Sequence, residues 1–274
     1  MNINSKNQRA LWSVLKRMPV VAFSFFVIWP LVPIFYLSFQ STLEHPSIEA
    51  GQWTLLNFQH LFKNEALVNS IVNSLTYVAL NIAITLPVAL PAAYGFARYR
   101  FIGDKHVFLW LLACRMTPPV VMVFPVFQLF SALGLVNSPL AIALAHCLFT
   151  VPITIWILES FISAIPKEFD ETAFIDGYSF LGFFFKLLVP TLKPGIAVAA
   201  FFCFMFSWVE VVFARILTVT NGKPISMAIS SLFSFQTDMG LVMAMSLLSI
   251  VPGAILMFLM RHHLSAGFMV GGAR

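Results

Sequence analysis

The sequence predicts an all-α integral membrane protein with six transmembrane helices and one long polar loop between the fourth and fifth helices. Composition is the first reason, because 59% of the 274 residues are hydrophobic and only 10% are charged, against about 25% charged residues in soluble domains. The length of the apolar runs is the second reason. A hydrocarbon core of ~30 Å requires about 20 apolar residues in a helix, and runs of that order recur along the chain.

The six predicted spans are separated by polar segments that mark their limits. The spans are residues 19–39, 67–96, 107–133, 140–158, 195–217 and 240–260. The remaining parts are an N-terminal tail (1–18), the polar loop (159–194) and a C-terminal tail (261–274). Because the first apolar run is longer than a signal-peptide core of roughly 7 to 15 residues, we expect it to be an uncleaved anchor.

Positive charge is distributed unevenly between the two sides of the predicted bundle. Most of the 16 Lys and Arg residues lie in the two tails, after the second span and in the polar loop, whereas Lys63 and Lys223 lie on the other side. Positive flanking charge resists translocation. Both termini and the polar loop are therefore predicted to be cytoplasmic, and the net charge of +5 indicates no role in nucleic-acid binding.

Two segments outside the polar loop have alternative interpretations. In the external segment 41–66, Phe58, Leu61 and Phe62 have helical spacing, which is typical of an interfacial helix but compatible with a solvated loop. In the third span, the run Arg115–Pro119 carries two consecutive prolines beside a charge. It is either irregular backbone next to a pathway or an ordinary proline kink.

The polar loop predicts a short helix followed by a turn. Pro166 suits the first turn of a helix, and Glu168, Asp170 and Glu171 place negative charge near the positive end of the helix dipole. The helix is predicted to run to about Asp176. The next residue is a glycine, which ends a helix in the left-handed conformation without a Cβ penalty.

A second, amphipathic helix is predicted after the turn. Ser179 is the expected N-cap, and Pro190 is expected to end the helix. The apolar residues between them recur at i, i+3, i+4, i+7 and i+8, a one-sided stripe that requires a covering surface. These residues are Phe180, Phe183, Phe184, Leu187 and Leu188. The stripe is predicted to lie on the transmembrane bundle, and the acidic helix then either projects towards a basic cleft of another protein or is a solvated face.

Glu171-Thr172-Ala173, with Gly177 four residues later and Pro190 at the end of the second helix, resembles the cytoplasmic EAA loop of ABC importer permeases. Further segments resemble the carbohydrate-type permeases related to the maltose transporter and extend the match over nearly the whole chain. They include Asn73-Ser74-Leu75, Ala92 to Arg98, Pro118-Pro119, Gly134 to Asn137 and Ser207 to Glu210.

Three positions depart from that pattern. Thr172 replaces the usual alanine, Val209 replaces the asparagine that many sugar permeases carry between Trp208 and Glu210, and the tail ends in Gly-Gly-Ala-Arg. The run Phe206 to Glu210 is closer to the polyol or glycerol branch, so the resemblance leaves the substrate open among sugars, polyols and glycerol-like solutes.

The resemblance implies a permease subunit in a bacterial inner membrane that forms half of a transport path and catalyses no reaction itself. Its implied partners are a second permease subunit, two cytoplasmic ATPase subunits that bind ATP and Mg, an external substrate-binding protein and membrane lipid. The chain itself would hold no cofactor or metal. The residues implied to couple the chain to the ATPase are Glu168, Asp170, Glu171, Thr172, Ala173, Asp176, Gly177 and Pro190.

Charged and aromatic residues at membrane depth are candidates for the substrate pathway, because an ionised side chain facing lipid is costly. The candidates are Arg115, Trp208 and Glu210. Glu210 would line the path or pair with Arg115 or Arg215, and Trp208 would stack on a sugar ring or pack between helices. Arg215 is expected to extend towards the membrane surface. His146 is expected to be a hydrogen-bonded core residue rather than a metal ligand or proton relay.

Two other classes of protein are the alternatives. An ion-coupled secondary transporter commonly carries carboxylates at the membrane midplane, and Glu210 is the clear intramembrane acid here. An intramembrane hydrolase is disfavoured because Gly177 to Gly182 has one residue too many for G-x-S-x-G and no H-E-x-x-H occurs.

Overall fold

The computed structural model describes residues 18–41, 52–218, 222–233 and 238–271, except the side chains of 262–271. Within these ranges all regular structure is helical, apart from one isolated bridge between Gln40 and Trp53, which confirms the all-α class. The helices are α1 (residues 18–28), α2 (Leu31–Ser38), α3 (Leu56–Lys63), α4 (Glu65–Arg98), α5 (Asp104–Met116), α6 (Pro119–Ala132), α7 (Pro139–Ser163), α8 (Glu168–Ile175), α9 (Phe180–Phe183), α10 (Val189–Thr191), α11 (Lys193–Val209), α12 (Val212–Leu217), α13 (Ile225–Leu232) and α14 (Met239–Gly271).

Four stretches are long and apolar enough to cross a membrane, namely Met18–Ser38, Glu65–Arg98, Pro139–Ser163 and Met239–Arg261. Two further pairs of helices meet at sharp bends. The angle is 97° between α5 and α6 and 75° between the segment Phe180–Thr191 and α11. If each bent pair is one span, the described residues contain six, the number that the sequence predicts.

The third predicted span, 107–133, is not one helix. It is broken at Thr117 (φ −64°, ψ 127°) and Pro118 (φ −58°, ψ 131°), which both have extended backbone. Each of these residues precedes a proline, and the ring of the following proline disfavours the helical conformation. Of the two alternatives for Arg115–Pro119, the structure shows irregular backbone, and α6 begins at the second proline.

The fifth predicted span, 195–217, is also interrupted. α11 ends at Val209, Glu210 is extended (φ −67°, ψ 132°), and α12 resumes at Val212. No proline or glycine lies at this break, so the apolar pattern gave no signal of it. The sixth predicted span ends at 260, whereas α14 continues to Gly271.

The described residues belong to two compact units, and the first comprises the chain up to Asn64 together with Leu232–Leu248. In it, the segment with helical spacing around Phe58 and Leu61 forms a helix, α3. The Asn57 side-chain amide donates hydrogen bonds to the carbonyls of Ser38 (3.0 Å) and Gln40 (2.8 Å). These bonds hold α3 against the end of the first span. Residues 1–17 of the predicted tail 1–18 lie outside the described residues, as do residues 42–51 of the external segment 41–66.

The second unit comprises Glu65–Ser231 and the chain from Ser249 onwards, and it contains two apolar cores. The first, which we call the loop-side core, joins α4, α7 and α11 to the loop 159–194. The second, the far-side core, joins α6 and α12 to the opposite ends of α4 and α7. α4 and α7 pack along each other and take part in both cores.

Candidate functional site: the coupling loop and its anchor

The fourth span, α7, continues to Ser163, so the first part of the predicted loop 159–194 is still helix of the span. The loop then forms the predicted helix and glycine turn. Three acidic residues occupy the first turn of α8. The helix ends in a Schellman motif, in which Tyr178 N–H donates to the Ala173 carbonyl and Gly177 N–H to the Phe174 carbonyl, both at 3.1 Å. Gly177 has φ +86°, and a Cβ there would meet no atom within 4 Å. Backbone conformation, not crowding, therefore requires glycine at this turn.

The second helix of the loop begins where the sequence predicts but does not end at Pro190. The Ser179 hydroxyl caps it by accepting a hydrogen bond from Gly182 N–H at 3.2 Å. The chain then forms a π-helical turn over Phe184–Leu188 and remains helical to Thr191. A proline ring clashes with the carbonyl four residues earlier in a regular α-helix. The wider π turn accommodates Pro190 and lets the helix continue past it.

The apolar stripe of this second helix lies on the transmembrane bundle, which confirms its predicted direction. Phe183, Phe184 and Leu188 are buried in the loop-side core, and Leu187 is partly buried against it. Phe180 lies at the edge of the stripe, half exposed, with its ring centroid 5.7 Å from that of Tyr94. The second helix of the loop is therefore packed against the transmembrane helices.

A buried ion pair anchors α8 to the end of α4. Asp170 accepts hydrogen bonds from Arg98 Nε at 2.8 Å and from Arg98 Nη2 at 3.1 Å, one on each carboxylate oxygen. The Tyr94 hydroxyl donates a third bond at 3.0 Å. The side chains of Arg98 and Asp170 are only 7% and 9% exposed. A bidentate, desolvated pair of this kind fixes both distance and orientation.

The expectation that Asp170 projects towards another protein is therefore wrong. Its carboxylate is satisfied within the chain, because the residue lies on the inner face of α8 next to the buried Ala173. The outer face carries four of the other residues predicted to couple the chain to an ATPase, all of them exposed, namely Glu168, Glu171, Thr172 and Asp176. Ala173 is buried, and Gly177 and Pro190 lie beyond the helix. None of the three exposed carboxylates forms an ion pair with another residue in the part of the chain that the structure describes.

A second buried carboxylate lies at the break in the fifth span. Glu210 accepts hydrogen bonds from the backbone N–H groups of Val212 (2.5 Å) and Phe213 (3.1 Å), so it caps α12. Its other oxygen is 3.2 Å from His146 Nε2 on α7. His146 Nδ1 is 2.7 Å from the Ser207 hydroxyl, and all these side chains are buried. His146 is thus the hydrogen-bonded core residue that the sequence predicts.

The structure changes the interpretation of the other residues at membrane depth. Glu210 pairs with neither Arg115 nor Arg215, and both arginines are exposed on the isolated chain. Trp208 is buried, stacked on Phe204 with ring centroids 5.4 Å apart, and its Nε1–H donates to the Ser249 carbonyl at 2.9 Å. Of the two alternatives for this side chain, the structure shows packing between helices.

Sequence reasoning missed Arg98, Tyr94 and the pairing of His146 with Glu210. The contacts join residues that are 72, 76 and 64 positions apart, and local periodicity carries no information about such separations. One signal was available. Arg98 closes an apolar span and Asp170 lies in an acidic helix on the same predicted side of the membrane, so the two charges had a reason to meet.

The described residues thus contain four to six apolar crossings and a packed helical loop whose outer face is acidic. Residues 85–267 match the family model described as binding-protein-dependent transport system inner membrane component. The chain belongs to this family, the permease subunits of ABC importers, which are transport components and not enzymes. This membership removes the ion-coupled secondary transporter and the intramembrane hydrolase as alternatives.

Similar proteins agree with this assignment over most of the chain. The inner membrane ABC transporter permease protein YcjP of Escherichia coli is 26% identical, with 91% of this chain and 93% of that protein covered. The sulfoquinovosyl glycerol transport system permease protein SmoH of Agrobacterium fabrum is 26% identical, with 94% of each covered. A crystal structure of a bacterial importer of the polysaccharide alginate matches with a TM-score of 0.77 at 17% identity, covering 93% of this chain and 97% of that one.

Proposed function

We propose that this permease subunit imports a sugar, polyol or glycerol-like solute and that α8 is its coupling helix to a cytoplasmic ATPase subunit. The supporting observation is that the two faces of α8 have different surroundings. The inner face is fixed to α4 by the pair Asp170–Arg98, and the outer face presents unpaired carboxylates to solvent. Such a face suits a basic groove, because charge complementarity directs docking.

The proposed mechanism uses the two faces of α8 to pass movement from the ATPase to the second span. ATP and Mg bind to two ATPase subunits, and closure of the ATPase pair moves the coupling helix of this chain and that of a second permease subunit. Glu171 receives the movement through a basic group of the ATPase. Because α8 is joined to α4 by three hydrogen bonds to one buried carboxylate, the second span moves with it.

The proposed substrate class has two supports. The family description names dependence on a binding protein, so an external binding protein delivers the solute. Relatives of similar length include a permease for sulfoquinovosyl glycerol and one for trehalose. Calorimetry of the cognate binding protein against sugars, polyols and glycerol derivatives identifies the solute, and binding of amino acids alone would contradict the proposal.

The proposed orientation places both termini and the loop 159–194 in the cytoplasm of a bacterial cell, with the chain in the inner membrane. Asp176 and Glu168 are exposed on the loop, so cysteines placed there would react only with membrane-permeant reagents in intact cells. Reaction of these cysteines with an impermeant maleimide would contradict the orientation.

Glu171→Lys in the reconstituted complex tests the coupling role. Reversing the charge should abolish binding-protein-stimulated ATP hydrolysis and uptake, because it places a cation against the proposed basic groove. Glu65→Lys is the matched control, since Glu65 is an exposed acid at the opposite end of α4. Normal uptake in the Glu171 variant would remove this residue from the proposed role.

A further inference from the structure

Between the two apolar cores of the second unit lies a band of buried polar side chains, which we call the polar layer. It takes residues from α4 and α7 and from the end of the fifth predicted span. Its members are Asn81, Thr85, His146, Thr150, Ser207 and Glu210, all buried. On α4 and α7 the loop-side core follows these residues along the chain, and the far-side core precedes them except for Phe149, which lies between His146 and Thr150. In the fifth span Ala199 of the loop-side core precedes them and Phe213 of the far-side core follows them, while Phe206 packs against the far-side core beside Ser207.

The layer is connected by hydrogen bonds that cross from helix to helix. Asn81 Nδ2 donates to Thr150 Oγ1 at 3.0 Å, and Thr85 Oγ1 is 3.0 Å from the same hydroxyl. Thr150 Oγ1 also donates to the His146 carbonyl at 3.1 Å, which links this part of the layer to the histidine that contacts Glu210. Asn81 Oδ1 is buried without a hydrogen-bond partner, so the network retains one free acceptor.

Each of the four described chain segments that take part in both cores carries a helix break or a proline near the place where it passes from one core to the other. The third span is broken at Thr117 and Pro118, and the fifth at Glu210. α4 and α7 are continuous, but Pro87 and Pro152 lie two residues beyond the layer members Thr85 and Thr150. Each of these prolines removes one backbone hydrogen bond and makes the helix easier to bend.

We propose that the polar layer is the plane at which the two cores pivot during transport, and that His146 and Glu210 are positioning residues that hold the broken fifth span at this plane. Apolar cores are close-packed and move as units, whereas hydroxyl, amide and imidazole groups exchange partners at modest net cost. The proposal deepens the proposed function, because it states where movement received by α8 is converted into opening of the far side.

The role of Glu210 follows from the break itself. In a continuous helix the Val212 and Phe213 N–H groups would donate to the carbonyls four residues earlier. Here the Glu210 carboxylate accepts both, which permits irregular backbone at membrane depth. The His146 ring fixes that carboxylate from α7, while α12 packs on α6 within the far-side core. The pair therefore determines the direction in which α12 leaves the break.

Amide hydrogen exchange of the complete complex in lipid nanodiscs tests the positioning role without any substrate. In Glu210→Ala we expect exchange at Val212 and Phe213 to accelerate at least tenfold, and in His146→Ala at least threefold. His146→Gln should restore slow exchange, since its amide can still donate to the carboxylate. Thr154→Val is the control, because it removes a buried contact between α7 and α11 (Thr154 to Cys203, 3.3 Å) that does not touch the break.

Unchanged exchange in Glu210→Ala, or equal acceleration in Thr154→Val, would overturn the positioning role.

The pivot is tested by comparing the nucleotide-free complex with the complex trapped by ATP and vanadate. We expect exchange to change at least threefold in peptides spanning 116–120 and 209–213 and to remain constant within the two cores. A change spread evenly over both cores, or none at the breaks, would overturn the pivot. A complex that hydrolyses no ATP would contradict the proposed function but leave the Glu210 result standing.

Discussion

Two buried carboxylates in this chain, Asp170 and Glu210, have different kinds of hydrogen-bond partner. Asp170 is held by the fork of Arg98 and by the Tyr94 hydroxyl, and it lies beside the loop-side core. Glu210 divides its oxygens between two backbone N–H groups at a helix break and one imidazole. The first site joins a loop to a span through a fixed geometry. The second supports backbone that has no regular hydrogen bonds of its own.

The contrast shows how one subunit combines stiffness with flexibility. A bidentate guanidinium–carboxylate pair is strong only in one orientation, and on this basis we propose that movement of α8 is passed on to α4. Hydrogen bonds among hydroxyl, amide and imidazole groups have several acceptable partners. In the proposed mechanism, the rigid contact lies where movement enters the chain, and the adaptable contacts lie where the chain bends.

The largest expected effect comes from breaking the rigid contact. Arg98→Ala leaves the Asp170 carboxylate buried and unpaired, which we expect to cost about 3 to 5 kcal/mol. Arg100→Ala is the matched control, since its side chain is 83% exposed and 3.5 Å from Asp104, and such surface pairs contribute about 0 to 1 kcal/mol. Thermal unfolding of both variants in one detergent measures the difference. Equal losses would show that the Asp170 contact is not rigid and desolvated.

A smaller substitution, Tyr94→Phe, tests how much one hydrogen bond contributes to the same contact. Tyr94→Phe removes one hydrogen bond to Asp170 and leaves the ion pair, so we expect a loss of about 1.5 to 3 kcal/mol. The melting temperature should fall between those of the unmodified chain and Arg98→Ala. A loss as large as that of Arg98→Ala would mean that the hydroxyl, rather than the guanidinium, holds α8.

The rigidity of the loop-side core is tested at Gly195 in α11. A Cβ on this residue would lie 2.7 Å from Cγ of Phe161 on α7, so Gly195→Ala should cost about 1 to 3 kcal/mol through overpacking. Gly95→Ala is the control, because a Cβ there meets nothing within 4 Å and alanine favours a helix by about 1 kcal/mol. A stabilised Gly195 variant would contradict close packing between α7 and α11.

The smallest effect is expected at the turn after α8. Gly177→Ala forces a side chain into the left-handed conformation (φ +86°) at a cost of about 1 to 2 kcal/mol, and Gly177→Asn should cost less. Denaturant titration gives the stabilities. Equal stability of the glycine and alanine forms would indicate that the turn is not constrained to this conformation.

Much of the fold was predictable because its determinants are local. The length of the apolar runs predicted the six crossings. Consecutive prolines marked Thr117 and Pro118 as a break or a kink, and a glycine after an acidic helix predicted the turn at Gly177. The break at Glu210 was not predictable in this way. It depends on a carboxylate that reaches the N–H groups two and three residues ahead and on a histidine from another helix.

The sequence predicted the candidate site in outline, but the prediction was wrong about the direction in which Asp170 points. The sequence placed an acidic helix in a loop, and the resemblance assigned its residues to a partner. Only the three-dimensional arrangement separates Asp170, which faces inward to Arg98, from Glu171, which faces solvent. Neighbouring residues of a short helix point in different directions, and with so few turns the periodicity does not show which face is covered.

The ratio of solute imported to ATP hydrolysed tests the central claim most directly, which is that movement enters at the outer face of α8 and leaves through Asp170 to Arg98. In reconstituted complexes, Arg98→Ala should still assemble with the ATPase and hydrolyse ATP, but its import per ATP should fall at least tenfold. The double variant Arg98→Asp with Asp170→Arg should recover part of the ratio. An unchanged ratio in Arg98→Ala would show that the anchor carries no movement and would contradict the account.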